Sequence, residues 1–204
     1  MQETGTRINK YMSQCGYCSR READRLIEKG EVWINGTLAT MGTKVMPGDT
    51  VMVHHTTITP CQKEYLLAFH KPAGIVCTTS KIDKNNVIDY LNFPERIYPV
   101  GRLDKESTGL LLLTNNGQLM DDILRGSNYH EKEYIVHVNK PITDSVLQAM
   151  AQGVPILDTI TRPCKIRRMG KDCFYITLTQ GLNRQIRRMC EYFDYRVTSL
   201  KRIR

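Results

Sequence analysis

Apolar side chains recur at three- and four-residue spacing between Arg7 and Gly16, at Ile8, Tyr11 and Met12, and this rhythm predicts a short amphipathic helix. Ser19-Arg20-Arg21-Glu22 has the form of a capping box, with Ser19 as N-cap and Glu22 reaching back, and Gly30 supplies a C-terminal stop. A second helix is expected between them, its Ala23, Leu26 and Ile27 turned inward. The pattern then becomes strand-like. Residues 31–35 predict a strand, Asn35-Gly36 a tight hairpin turn needing positive φ, and Pro47-Gly48-Asp49 a second turn before a strand at 50–53. Together these form a compact module of residues 5–53, small for a self-sufficient core. Residues 54–63 lack helical periodicity, contain Pro60, and are expected to be a linker.

From residue 64 onward, strand-like runs fall at 65–69, 110–114, 134–138, 165–168, 174–179 and 197–203, and helical runs at 118–124, 144–151 and 183–192. Met169-Gly170-Lys171-Asp172 reads as a hairpin connection, which implies antiparallel pairing. The expected fold class is α+β: a small N-terminal module of two helices and short strands, joined to a domain of residues 64–204 with a mixed, largely antiparallel sheet. There is no internal repeat and no low-complexity tract.

Charge adds a partner to this outline. The chain carries a net charge of +8, which favours acidic partners such as nucleic acid. Residues 1–60 contribute only +1, from seven Lys/Arg against six Asp/Glu, whereas residues 162–204 hold twelve basic residues against three acidic ones. Several of the latter, Arg184, Arg187 and Arg188, are spaced to share a helix face. The seven cysteines are an odd, scattered set, and the N-terminus lacks a signal-peptide pattern, so free thiols in a cytoplasmic protein are expected. Cys15-Gly16-Tyr17-Cys18 has the spacing of half a zinc site, but no second pair lies nearby; packing against the following helix is the simpler role. No apolar run reaches the roughly 18 residues that would span a bilayer, so no membrane partner is expected.

For chemistry, Gly101-Arg102-Leu103-Asp104-Lys105-Glu106-Ser107-Thr108-Gly109-Leu110 places a carboxylate in a Gly-flanked loop before an all-apolar strand. By spacing alone, a solvated turn Asp is the commoner outcome. The five histidines read as structural or solvated.

Residues 5–53 resemble the S4 RNA-binding domain through Arg7-Ile8-Asn9-Lys10-Tyr11, Cys18-Ser19-Arg20-Arg21-Glu22-Ala23-Asp24 and Val32-x-Ile34-Asn35-Gly36. The run around Asp104 is similar to the signature of the pseudouridine synthases in the branch acting on bacterial ribosomal RNA. Lys71-Pro72-x-Gly74, Glu131-Lys132-Glu133-Tyr134, Gly153-Val154-Pro155-Ile156 and Gly181-Leu182-Asn183-Arg184-Gln185-Ile186-Arg187-Arg188-Met189 extend the match.

The resemblance implies that Asp104 is the essential carboxylate in breaking the uridine N1–C1′ bond and rejoining the base through C5. No atom is gained or lost, so neither a redox cofactor nor ATP is implied. Tyr134 would pack on the target base, Arg187 would pair with Asp104 through two hydrogen bonds, and Arg102 would occupy the gap left by the extruded base. Arg184, Arg188 and the basic stretch Lys201-Arg202-x-Arg204 would grip phosphates, as would Arg7, Lys10, Arg20, Arg21 and Arg25 of the S4 module. The implied partner is RNA, chiefly rRNA with tRNA as a further candidate, met by a monomer. By the family pattern a final strand and terminal helix would follow Arg204, which predicts a truncated catalytic domain with an open sheet edge. The competing expectation is an inactive S4-type protein that only binds RNA.

Overall fold

The computed structural model describes residues 5–60, 63–80 and 82–204. The chain divides into two compact units, one running to Tyr65 and the other made of Leu66–Phe93, Ile97–Thr114 and Gln118–Arg204; the short segments Pro94–Arg96 and Asn115–Gly117 group with the first. Among the described residues no helix is long and apolar enough to cross a membrane.

In the first unit, β1 (Thr6–Arg7) leads into α1 (Ile8–Gln14) and α2 (Arg20–Glu28), followed by β2 (Val32–Ile34), β3 (Thr37–Leu38), β4 (Lys44–Val45), β5 (Val51–Val53) and β6 (Thr56–Ile58). Ser19 caps α2 by accepting from the Glu22 amide at 3.1 Å. Ile8, Met12, Ala23 and Ile27 from the helices close on Val32, Val51 and Val53 from the strands, forming one small core. The stretch expected as linker is different in structure. Val53 pairs with Thr56, so His54 and His55 form a two-residue hairpin turn and Thr56–Ile58 becomes an added strand of the same sheet. Both histidines take the positive φ that this turn demands, 45° and 64°. His54 lies 3.5 Å from the Glu31 carboxylate and His55 stacks on Trp33 at 5.6 Å, contacts that compensate for the missing Asn-Gly.

The second unit comprises β7 (Leu66–Lys71), α3 (Val87–Leu91), β8 (Tyr98–Val100), β9 (Thr108–Thr114), α4 (Gly117–Leu124), β10 (Lys132–Val138), α5 (Asp144–Gln152), β11 (Pro155–Ile156), β12 (Thr159–Ile160), β13 (Lys165–Arg168), β14 (Cys173–Leu178), α6 (Gln185–Tyr192) and β15 (Val197–Arg202). Seven of the strands form one sheet in the order β13-β14-β10-β15-β9-β7, with β8 also paired to β9. All its pairings are antiparallel except β15 with β9. Val136, Phe174, Ile176, Leu111 and Leu113 are buried on the sheet, and Met150 and Met189 are buried on the helices. Within this sheet β15 lies between β10 and β9, while β13 and β7 end the strand order and β8 branches from β9.

Helix α6 ends in a Schellman arrangement. Asp194 takes a φ of 60°, its amide reaches the Glu191 carbonyl, and the Tyr195 amide reaches the Cys190 carbonyl at 2.9 Å. A glycine would be the easier residue there, and Asp is among the few others that tolerate it.

Candidate active site

The loop between β8 and β9 presents Asp104. Gly101 opens it with φ 77°, Leu103 is buried, and the Ser107 amide donates to the Asp104 carbonyl at 3.0 Å, closing a tight turn. The segment after β7 holds this turn from beneath. Lys71 is completely buried, and its Nζ donates to the carbonyls of Pro72 at 2.6 Å and Lys105 at 3.1 Å. The Gly74 amide donates to the same Lys105 carbonyl at 2.8 Å, and the Leu103 amide faces the Cys77 sulfur at 3.4 Å. Burial lowers the Lys71 ammonium from its ordinary value, against the raising influence of nearby Cys77, Glu106 and Asp104. In sequence a lysine in a strand reads as an exposed one, and only the burial of Lys71 reveals its use.

Helix α6 brings the second charge. Its buried face is Gln185, Ile186, Met189 and Cys190, leaving Arg187 at the margin. Arg187 Nε lies 3.6 Å from Asp104 Oδ2, with the two side chains 11% and 32% exposed. The two expected hydrogen bonds are absent: 3.6 Å is an ion-pair distance, and Nε is buried without a hydrogen-bond partner among the described residues. The other guanidinium nitrogens are engaged elsewhere, Nη2 toward Ser107 Oγ and Nη1 toward the Val197 carbonyl, both at 3.4 Å. The guanidinium thus bridges the Asp104 turn and the start of β15.

Sheet register aligns the remaining elements. Tyr134 of β10 stands opposite Arg202 of β15, which stands opposite Gly109 of β9, so the three share one row across adjacent strands. Tyr134 is 9% exposed. Gly109 has φ 104°, and a Cβ there would meet the Arg202 carbonyl oxygen at 2.0 Å. Only glycine lets β9 and β15 approach this closely.

The other expected residues divide. Arg102 and Arg184 are exposed. Arg188 is half-buried and donates to the Asn183 carbonyl at 3.1 Å. Arg202 is buried and donates to the Leu110 carbonyl at 2.5 Å, and Arg204 binds Glu131 at 3.1 Å and Glu133 at 3.4 Å. Burial of Arg202 takes it out of reach of a phosphate, whereas Arg204 stays exposed beside its two carboxylate partners. Lys165 also binds Glu131 at 2.9 Å, and its hydrogen bond, ahead of that from Arg204, lowers the Glu131 carboxyl from its usual range.

In the first unit, Arg7, Lys10 and Arg20 line one cleft of about 400 Å³ with Gly5, Thr6 and Asn9. Arg21 is exposed on α2, and Arg25 pairs with Glu22 at 3.1 Å. Cys15 and Cys18 pack on the core, and burial pushes both thiols up to about 11. Among the described residues no group of His, Cys, Asp and Glu is arranged to hold a metal ion.

Residues 65–192 match the sequence profile of the RNA pseudouridylate synthases, and residues 6–51 that of the S4 domain. A Salmonella typhi protein named dual-specificity RNA pseudouridine synthase RluF is 54% identical, over 99% of this chain and 71% of its own. The Bacillus subtilis ribosomal large subunit pseudouridine synthase B is 33% identical, over 96% of this chain and 84% of its own. A solved crystal structure of a pseudouridylate synthase shares 26% identity with a TM-score of 0.67, covering 97% of this chain and 87% of that one.

Proposed function

This chain belongs to the RNA pseudouridylate synthase family, and on that footing we propose that it isomerises uridine in large-subunit ribosomal RNA and in tRNA, with Asp104 as the essential carboxylate. The observation that carries the proposal is the Asp104–Arg187 ion pair, which joins two positions far apart in sequence at the mouth of a braced loop. A carboxylate so placed has a fixed direction and a counter-charge that persists when substrate displaces water. The target base leaves its stack, because its N1 and C5 atoms and the attached sugar C1′ are not accessible in a stacked strand. The N1–C1′ bond breaks, the base turns, C5–C1′ forms, and the C5 proton is lost while N1 regains one. Asp104 acts as nucleophile or base in this exchange.

Arg187 Nε is buried with no hydrogen-bond partner among the described residues. Its N–H closes on Asp104 when substrate binds, in keeping with the looser geometry of unliganded sites. Tyr134 packs on the base and Arg102 fills the vacated stack. Arg184 and Arg188, with the Arg7–Lys10–Arg20 cleft and the neighbouring Arg21 and Arg25, hold phosphates and set affinity. The names of the relatives support more than one RNA site and a ribosomal target: one is called a dual-specificity RNA pseudouridine synthase, the other a ribosomal large subunit synthase. The protein acts as a monomer in the cytoplasm, and the free thiols at Cys15, Cys18, Cys77, Cys164, Cys173 and Cys190 support that compartment.

Incubation with rRNA and tRNA transcripts tritiated at uridine C5 tests the assignment. Wild type is expected to release tritium and Asp104→Asn to release none. No release by wild type, or equal release by both, refutes it, and the first result would favour an S4 protein that only binds RNA.

A further inference from the structure

Outside the reaction centre, one side-chain pair has the form of a recognition element. Tyr129 follows the 3₁₀ turn Gly126–Asn128 with a φ of 50°, and it is 57% exposed. Arg162, also exposed, places its guanidinium carbon 4.6 Å from the centroid of the Tyr129 ring. We propose that this Tyr129–Arg162 stack is a platform for an unpaired base of the RNA flanking the target uridine, an inference that rests on the isomerase reading above.

Two observations tie the platform to the reaction centre. The Arg162 amide donates to Gln180 Oε1 at 3.0 Å, and the same oxygen accepts from Gln185 Nε2 at 3.4 Å. Gln185 is the first residue of α6, is buried, and receives the Leu182 amide at 3.0 Å. The backbone beside the platform is thus two hydrogen bonds from the helix that carries Arg187. Tyr129 also precedes Tyr134 by five residues on the segment entering β10, a span of at most ~17 Å at ~3.4 Å per residue. That is the length of about five stacked nucleotides at ~3.4 Å each.

The chemistry selects a base as the occupant. A tyrosine ring and a guanidinium plane stacked on each other present flat π surfaces that accept any base, and the cation suits a polyanion. The surrounding sequence adds to this, since residues 162–204 carry the bulk of the positive charge. Such a platform strengthens binding and fixes register without touching the reacting atoms.

The test uses the full chain and the shortest rRNA stem-loop that wild type modifies. Binding is read by fluorescence anisotropy and chemistry by single-turnover tritium release. Tyr129→Ala is expected to raise Kd by about 5- to 150-fold, the range for loss of one stacked base. Its rate at saturating RNA stays within about twofold of wild type, and Tyr129→Phe matches wild type in both. Abasic residues introduced singly within five nucleotides of the target locate the base: at one position wild type loses affinity as Tyr129→Ala does, and the variant loses nothing more. A Kd for Tyr129→Ala within about twofold of wild type overturns the platform, as does additivity at every abasic position. Because Tyr129 is exposed, an unchanged melting temperature separates these results from misfolding. Wild type that modifies no RNA defeats the isomerase reading, whereas active wild type with an indistinguishable Tyr129→Ala defeats the platform alone.

Discussion

Replacing Gly109 by alanine puts a methyl group where the backbone of another strand already lies. The added Cβ would stand 2.0 Å from the Arg202 carbonyl oxygen and 2.7 Å from the Arg202 nitrogen, so β9 and β15 must separate by about 1 Å or more. No flexible side chain can absorb the shift. Pairing of Arg202 with Gly109 and of Lys201 with Thr108 is then lost, and with it the Arg202 hydrogen bond to the Leu110 carbonyl. A charged hydrogen bond contributes about 1.5–3 kcal/mol, and the positive φ adds roughly 1–2 kcal/mol for any L side chain. The expected loss is about 3–5 kcal/mol, a large part of the roughly 5–15 kcal/mol that stabilises a domain. Gly36→Ala is the control, having a φ of 79° but open space around its Cβ, and it should cost only about 1 kcal/mol. Urea denaturation gives both values, and tritium release should fall with Gly109→Ala because Asp104 lies five residues upstream. A Gly109→Ala protein within about 1 kcal/mol of wild type and fully active would show that the close approach of β9 and β15 is wrong.

Arg187→Lys keeps the charge but cannot reach Asp104, Ser107 Oγ and the Val197 carbonyl together, so single-turnover rates should fall about 100-fold; a fall below threefold would refute the bridging role. Lys71→Met leaves the Pro72 carbonyl without its lysine donor and should cost about 2–4 kcal/mol in a urea titration, with loss of activity. The sign of its pH effect follows from the lowered folded-state value: the unfolded chain binds the proton more tightly, so this group's contribution to stability improves as pH rises from its folded-state pKa toward its ordinary 10.5. Lys71→Met should remove that component, seen by comparing urea midpoints of the two proteins across alkaline pH. Arg204→Ala breaks two exposed ion pairs and should shift stability by less than about 1 kcal/mol without changing the salt dependence of RNA binding, whereas Arg184→Ala should reduce that slope by about one. Burial pushes the Cys190 thiol to about 12, so alkylation near pH 8 should proceed only on unfolding.

Legibility in sequence followed the range of the interactions. Helix α2 was readable because its Ser19 cap and inward face are local, and β10 and β14 because their apolar residues persist along the strand. Thr56–Ile58 was not, since a His54-His55 turn lacks the usual Asn-Gly signal and relies on Glu31 and Trp33. The short helix Val87–Leu91 had a local cue, Asn86 accepting from the Ile88 and Asp89 amides, but five residues show too little periodicity to detect. Asp104 and Arg187 could be paired only through a resemblance, because no spacing rule connects residues that far apart. Arg202 and Arg204 carried a basic pattern whose partners, the Leu110 carbonyl, Glu131 and Glu133, come from distant strands. Lys71 was hidden for the opposite reason: its charge suggests solvent, while its place is beneath the loop.

The interior position of β15 also dictates a schedule during synthesis. Strands β9 and β10 leave the ribosome well before the strand that must lie between them, and at about 5–20 residues per second the 64 residues from Val138 to Arg202 take roughly 3–13 s. Throughout that interval the side of β10 and the Thr108–Gly109 end of β9 that β15 will pair are bare, and Arg187 emerges only near its close. A centre that needs both Asp104 and Arg187 cannot assemble before α6 and β15 have emerged.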